Sequence, residues 1–576
     1  MLAIAILICL ISISYGIYKL INDNTSGKQK RRLYRERNKK TARDTGTYLE
    51  YNIFAKIYNS SKVFQFANKY LPLIIMLVGI AARVYQFGSN PPGLNQDEAS
   101  VGYDAYAVLK HGMDRNGIHN PVHLIAWGSG QNALYAYLSM PFIAVMGLNE
   151  ISTRLVNLLF GCIALPVFYL LVKRIASRPT ALMSLFLMAV CPWHIMLSRW
   201  ALESNLFPAV FLIGVYLLVL GIQNRRFIPV SLFVFALCLY SYGTAYFVIP
   251  VFLSLVFIYL LYHKNQDFKT LGIGTAVFAV SAIPILLFLA VNHFKQNSIS
   301  SFLLSIPRLT GSPRYNAVSS IFSTEFVSNS INNFKGFAKM MASQDDGLIW
   351  NSIPEYGILY LFSLPFAFLG LAKLISDNRR LKEFRPGFIM LLWTASALLL
   401  SFAASVNINR INILFIPLIY FTAEGIVFSA KHIKSFMIAA VIMYIISFCS
   451  FSNYYFTKYA VNSGYAFFES FGDAIKYSSS IQSQRVYVTN TVNMPYIFVL
   501  FYEGISPQRF ISTVNYANPG GDFQFVNSFD KYTFNTDNVN PAEDAVYIIN
   551  NSEKSKFDAN FFNFKEFKYY TVVTKR

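Results

Sequence analysis

Apolar runs of roughly 17 to 25 residues recur along the chain as far as about Ser450, separated by short polar stretches. About twelve can be drawn, near 2–20, 70–87, 151–172, 179–197, 206–222, 227–240, 244–262, 271–291, 356–374, 387–405, 411–428 and 435–450. A run of roughly 17 to 25 residues is long enough to cross ~30 Å of hydrocarbon as a helix. Within lipid a segment must satisfy its own backbone N–H and C=O groups, so open strands are excluded there. The pattern therefore predicts an all-α polytopic membrane protein.

Three stretches break the rhythm: 88–150, 292–355 and everything after Phe451. Within the first, 98–110 and 131–147 have helical patterning but are short or interrupted, and read as helices lying along the membrane interface. The tail predicts a helix near 467–477, a strand at 485–489, a helix at 494–504 and a strand at 546–550, a small exported α/β domain. The expected division is an N-terminal helix with a basic cytoplasmic segment (1–69), a transmembrane core (70–452) and an extracytoplasmic C-terminal domain (453–576).

Composition agrees with a bilayer as solvent. Of 576 residues, 54% are hydrophobic and only 14% charged, against about 25% charged in soluble proteins. The net charge of +20 would raise nucleic acid as a partner in a soluble chain. Here much of the excess sits in short loops between apolar runs, where Lys and Arg set orientation and meet lipid headgroups, so nucleic acid is not expected. The first run lacks a basic leader and a small-residue cleavage site, and reads as a retained helix. The cluster from Lys28 to Arg43 after it belongs in the cytoplasm. Alternation from there places Lys173, Arg174 and Arg178, then Arg225 and Arg226, His263 and Lys264, Arg379 to Arg385, and Lys431 and Lys434 inside. The three long stretches then fall outside. The five cysteines show no CxxC or CxxH spacing and read as small core residues.

The first long loop opens with Asn90-Pro91-Pro92-Gly93-Leu94-Asn95-Gln96-Asp97-Glu98. A turn fixes the chain, and Asp97 and Glu98 then stand at a helix N-terminus, where the dipole favours carboxylates. Two readings are open: a base held for proton abstraction from an alcohol, or helix capping on a wetted surface.

A carboxylate pair after the first core helix is followed by Gly102-Tyr103-Asp104-Ala105-Tyr106. Then come Gly147-Leu148-Asn149-Glu150-Ile151-Ser152-Thr153-Arg154-Leu155 and, two helices on, Ser198-Arg199-Trp200-Ala201-Leu202-Glu203. This order resembles the glycosyltransferase C (GT-C) superfamily, in its protein O-mannosyltransferase and aminoarabinose transferase branch, over about 71–220. The resemblance implies that Asp97 is the base and that Glu98 matches the neighbouring acid. It also implies a functional acid in the second outer loop; Glu203 is the nearest match, although the family often has Asp there. Tyr103 and Asp104 fall in the matched stretch and are candidates for acceptor or sugar contact.

For the donor phosphate, Arg199 and Arg410 are the candidates, because a guanidinium presents paired donors to phosphate oxygens. Arg199 could equally be an interfacial anchor paired with Glu203, and Arg410 a snorkelling side chain on the outer side. In the second long loop, Asp345, Asp346 and Trp350 combine acids with an aromatic ring, suited to sugar hydroxyls and ring faces, or are a plain exposed loop. Asp97, Glu98 and Glu203 could offer oxygen ligands to a divalent metal, but His and Cys form no recognisable ligand set. No Gly-rich nucleotide loop appears.

The expected activity is transfer of a sugar from a polyprenyl-phosphate donor to a protein, lipid or envelope-glycan acceptor outside a bacterial plasma membrane, with inversion. Rivals are a flippase or transporter of lipid-linked or charged substrates, an envelope polysaccharide polymerase or ligase, and a membrane-anchored binding protein whose tail does the work.

Overall fold

The computed structural model describes residues 62–264, 266–313, 325–378, 383–433 and 435–576. The expected helix at 2–20, the basic cluster from Lys28 to Arg43, and Arg379, Arg380, Lys382 and Lys434 lie outside them.

The helical part begins with α1 (Lys62–Val84) and the shorter α2 (Gln96–His111) and α3 (Leu134–Met146). There follow α4 (Glu150–Ile175), α5 (Arg178–Val190), α6 (Glu203–Gln223), α7 (Phe227–Cys238), α8 (Ala245–Tyr262) and α9 (Phe268–His293). After the second long loop, which holds α10 (Phe326–Ser343), come α11 (Leu364–Asn378), α12 (Phe388–Ala403), α13 (Phe415–His432) and α14 (Phe436–Tyr454). Six helical stretches among the described residues are long and apolar enough to cross a membrane: α4, α6, α8, α9, Ile408–His432 and Phe436–Asn462. Four further apolar helices, α3, α5, α7 and α12, are shorter. The chain is an integral membrane protein, with fewer full-length spans among the described residues than run length alone predicts there.

Local chemistry sets the ends. Asn149 caps α4 through a capping box with Ser152, and Ser177 caps α5 ahead of a proline in its first turn. The run expected as one helix over 179–197 is two: α5 stops at Val190, and Pro192, which offers no N–H, opens the separate turn Pro192–Leu197. The helix expected from 356 starts at Leu364, after a 3₁₀ turn at Leu361–Ser363. Helices α11 and α13 touch backbone to backbone. A Cβ on Gly370 would run into the Phe421 carbonyl, and one on Gly425 into the Phe366 carbonyl.

In the first long loop, Gln131 and Asn132 are not helical. They form β2 (Gln131–Asn132), antiparallel to β1 (His123–Leu124), and α3 begins after them. Nor does α2 have a solvent-facing side suited to an interface, because Glu98 to Ala105, Ala107 and Val108 are all buried. It packs between α3, α4 and the C-terminal layer.

That layer carries the expected helices as α15 (Phe471–Ser479) and α16 (Pro495–Glu503), followed by α17 (Pro507–Thr513). After the short hairpin β3 (Ile299–Ser300) and β4 (Ser305–Ile306), all remaining strands belong to it: β5 (Val486–Val488), β6 (Asn515–Tyr516), β7 (Val526–Phe529), β8 (Tyr532–Thr533), β9 (Val546–Asn550), β10 (Phe562–Glu566) and β11 (Tyr570–Lys575). They form one seven-stranded sheet ordered β10-β11-β9-β5-β8-β7-β6. Strand β5 runs parallel to both neighbours, and the other pairs are antiparallel. The layer is clamped to α2 and α4: Tyr103 donates to the Ile505 carbonyl at 2.6 Å, and Tyr502 to Glu150 at 2.9 Å.

Candidate active site

The polar turn between α1 and α2 is built around Arg154 of α4. Its guanidinium is fully buried and donates to the carbonyls of Gly88 (3.3 Å), Pro91 (2.8 Å) and Gly93 (2.6 Å). It also grips Glu98 with two bonds of 2.7 Å. Glu98 in turn accepts the backbone N–H of Asn95 (3.0 Å), closing the capping box of α2, and that of Ala201 (2.7 Å). Both carboxylate oxygens thus hold two donors each, with no exposed surface left. Expected to act beside Asp97 in the chemistry, Glu98 is instead the node that ties α2, α4 and the 198–203 turn together.

Asp97 is different. It is half-buried, its N–H is taken by Asn95, and its carboxylate receives the indole N–H of Trp127 at 3.2 Å. Trp127 is itself fixed by the Arg115 guanidinium over its ring (4.7 Å), by the edge of Tyr496, and by the Gln524 N–H on its carbonyl (2.7 Å). Beside it, Ser129 donates its N–H to the Asp522 carbonyl (3.1 Å), and the Gly311 N–H reaches the Gly128 carbonyl (3.0 Å). Both long loops and the C-terminal layer therefore meet within two residues of the side chain that holds Asp97.

Arg199 does not open to a cleft. It is fully buried and donates to the carbonyls of Ala82 and Arg83 at the end of α1 and of Gln86 and Asn90 in the turn that follows, under the rings of Tyr455 and Phe456. Neither reading from the sequence, phosphate ligand or partner of Glu203, matches that geometry. Glu203 opens α6, nearly buried, and its carboxylate takes the Asn132 N–H.

The remaining candidates connect through backbone. Asn412 donates to the Ser204 carbonyl at 2.8 Å, next to Glu203. Two residues earlier, half-buried Arg410 donates to Ser405. Asp346 accepts the Ile408 N–H (2.9 Å) and the Asn351 amide (2.8 Å), and Asp345 accepts the Ser352 hydroxyl (2.6 Å). Trp350 lies half-buried in the same loop. Asp97–Glu98, Ala201–Ser204, Ile408–Asn412 and Asp345–Asn351 are thus linked in one hydrogen-bonded series.

Tyr103 and Asp104 stand apart from it. Tyr103 is buried against the C-terminal layer, and Asp104 is buried with an ion pair to Arg115 at 3.4 Å. Burial pushes the Asp104 carboxyl up, against the pull of Arg115. Asp97, Glu98 and Glu203 do not converge as metal ligands, and among the described residues no three His, Cys, Asp or Glu side chains do.

Sequence reasoning passed over Trp127, Arg115 and Arg154 as functional residues. A lone arginine in an apolar helix demands a buried partner, which was a readable signal for Arg154. The Trp127 contact depends on chain folding and had none.

ArnT from Cupriavidus metallidurans in the apo state superposes with a TM-score of 0.50 at 11% identity, over 89% of this chain and 98% of that one. The same protein bound to undecaprenyl phosphate gives 0.50 at 12% identity, over 87% and 96%. The Archaeoglobus fulgidus oligosaccharyltransferase in its apo form gives 0.48 at 13% over 75% of this chain, which spans 63% of that longer protein. No curated protein sequence matches. The architecture is similar to that of the ArnT structure. Within it, residues 132–291 match the family described as dolichyl-phosphate-mannose-protein mannosyltransferase.

Proposed function

We propose that this protein is a membrane glycosyltransferase that takes a sugar from a polyprenyl-phosphate donor and passes it, with inversion, to a protein, lipid or envelope-glycan hydroxyl on the extracytoplasmic face of a bacterial plasma membrane. The observation that carries the reading is the contrast among the acids of the first long loop. Glu98, Asp104 and Asp114 are fully buried, whereas Asp97 keeps access to solvent and is held by one neutral donor. A carboxylate so placed can reach a hydroxyl and take its proton.

In the reaction the acceptor oxygen attacks the anomeric carbon while Asp97 removes its proton. The bond from that carbon to the phosphate oxygen breaks, and polyprenyl phosphate leaves with the electron pair. Arg410, the half-buried cation in the linked series, is assigned to the departing phosphate. Arg199, Glu98 and Arg154 hold the frame. The ArnT structure that holds undecaprenyl phosphate supports a carrier of that class.

A flippase would rely on ionisable groups inside the helices, and the buried Glu424 with Lys373 at 2.9 Å is the feature that favours it. Purified protein in proteoliposomes, offered a panel of polyprenyl-phosphate sugars and hydroxyl acceptors, separates the two. Release of free polyprenyl phosphate coupled to acceptor glycosylation is expected. Movement of intact lipid-linked sugar between leaflets, with no release, would overturn the assignment.

A further inference from the structure

The second long loop bears two apolar surfaces that none of the described residues covers. At the tip of the hairpin β3–β4, Phe302 and Leu303 are 96% and 78% exposed. The hairpin is not a loose flap: Ser305 exchanges backbone hydrogen bonds with Asn120 and Val122, so the tip projects from a fixed base. The second surface is on α10. Its Phe337 and Met340 are buried, while Val327, Ile331 and Phe334, spaced to share one face, are exposed.

Both surfaces continue faces of apolar helices. Phe334 stacks on Phe402 of α12 at 4.6 Å, and Phe402 and Leu399 are themselves exposed. The hairpin follows α9, a helix apolar enough to span, through the exposed Phe294. Each surface is also flanked by cations. Lys335 and Lys339 are exposed on α10, which contains no acid, and Lys295 and Arg308 are exposed at the base of the hairpin.

We propose that the second long loop rests on an anionic lipid surface. The α10 stripe and the 302–303 tip enter the boundary between headgroups and acyl chains, and the four basic side chains face the lipid phosphates. A second copy of the chain or a soluble partner would not need apolar strips that run on from the spanning helices, nor cations beside both of them. The proposal requires only that the chain sits in a membrane, so it stands or falls separately from the glycosyl-transfer reading.

The test uses the full chain, with Cys9, Cys162 and Cys449 replaced by serine, in dilute proteoliposomes of phosphatidylcholine with or without phosphatidylglycerol. Nitroxide labels are placed singly by Phe302→Cys, Ile331→Cys and, as the polar-face control, Asn332→Cys. Collision with oxygen should dominate over collision with a water-soluble nickel chelate at 302 and 331, and the reverse should hold at 332. Immersion at 302 and 331 should increase with phosphatidylglycerol. That increase should vanish when Lys295, Arg308, Lys335 and Lys339 are all changed to Gln. Nickel-dominated collision at 302 and 331 in both vesicle types would overturn the proposal. So would protection that appears only at high protein-to-lipid ratio, which would indicate a second copy. Labelling, unlike activity, also reads out variants that are catalytically dead.

Discussion

Replacing Arg154 by methionine should be among the most damaging single changes in the first long loop. The side chain carries two bonds to Glu98 and three to backbone carbonyls, and both ionic partners have no exposed surface. Removing one member of such a pair leaves an uncompensated buried charge and costs about 3–5 kcal/mol. At about 1.4 kcal/mol per factor of ten, the folded-to-unfolded ratio of this region falls by roughly two to four orders of magnitude. The loss can be read by limited proteolysis of residues 88–150 in detergent, and by thermal unfolding. A double-mutant cycle with Glu98→Gln isolates the pair: the double variant should be more stable than the sum of the single losses, by about 0.5–3 kcal/mol. Losses that simply add, or an Arg154→Met protein as protease-resistant as wild type, would refute the account of the Glu98–Arg154 node.

Three further outcomes are expected. Arg199→Lys cannot serve four carbonyls spread over the end of α1 and the turn after it, so folded yield should drop while the KM for donor in the surviving protein stays near wild type. A rise in KM at normal yield would restore Arg199 as a phosphate ligand. Trp127→Phe keeps the ring between Arg115 and Tyr496 but removes the donor to Asp97, so kcat should fall about tenfold or more at unchanged donor KM in steady-state assays. Burial, and next the Asp104 carboxylate, pushes Asp114 up to about 7. The folded loop therefore holds a proton that the unfolded chain loses near pH 4. The resulting stability is complete below about pH 4 and is lost as pH rises through about 7. Thermal unfolding of wild type should weaken over that window, and Asp114→Asn, which keeps the oxygen that accepts from Asn116 and Ile118, should flatten the dependence.

Much of the helix order was legible because run length and apolarity are local properties. The break at Pro192 was not, for a physical reason. Prolines at 72, 141, 166, 208, 250 and 284 sit inside continuous helices, so proline in an apolar run is no reliable stop here. The strands β6, β7 and β8 have two to four residues each, too short for a period-two pattern to register, and β8 joins the sheet through β5, far back in the sequence. At the site, the position of Asp97 and Glu98 at the start of a helix could be read, but their different burial could not. That difference arises from Arg154 and Ala201, 56 and 103 residues away. The i,i+4 spacing of Arg199 and Glu203 suggested a pair only on the assumption of a shared helix. The chain bends at Trp200–Leu202, and α6 begins at Glu203 itself.

The central claim, that Asp97 is the base of a lipid-donor glycosyltransferase, is tested most directly by comparing wild type with Asp97→Asn. The measurement is transfer of radiolabelled sugar from polyprenyl-phosphate sugars to acceptor in membranes at matched expression. Asparagine preserves an oxygen acceptor for the Trp127 indole and removes only the capacity to take a proton. Transfer that falls at least about a hundredfold in the variant is the predicted result. Transfer undiminished by the substitution would contradict it.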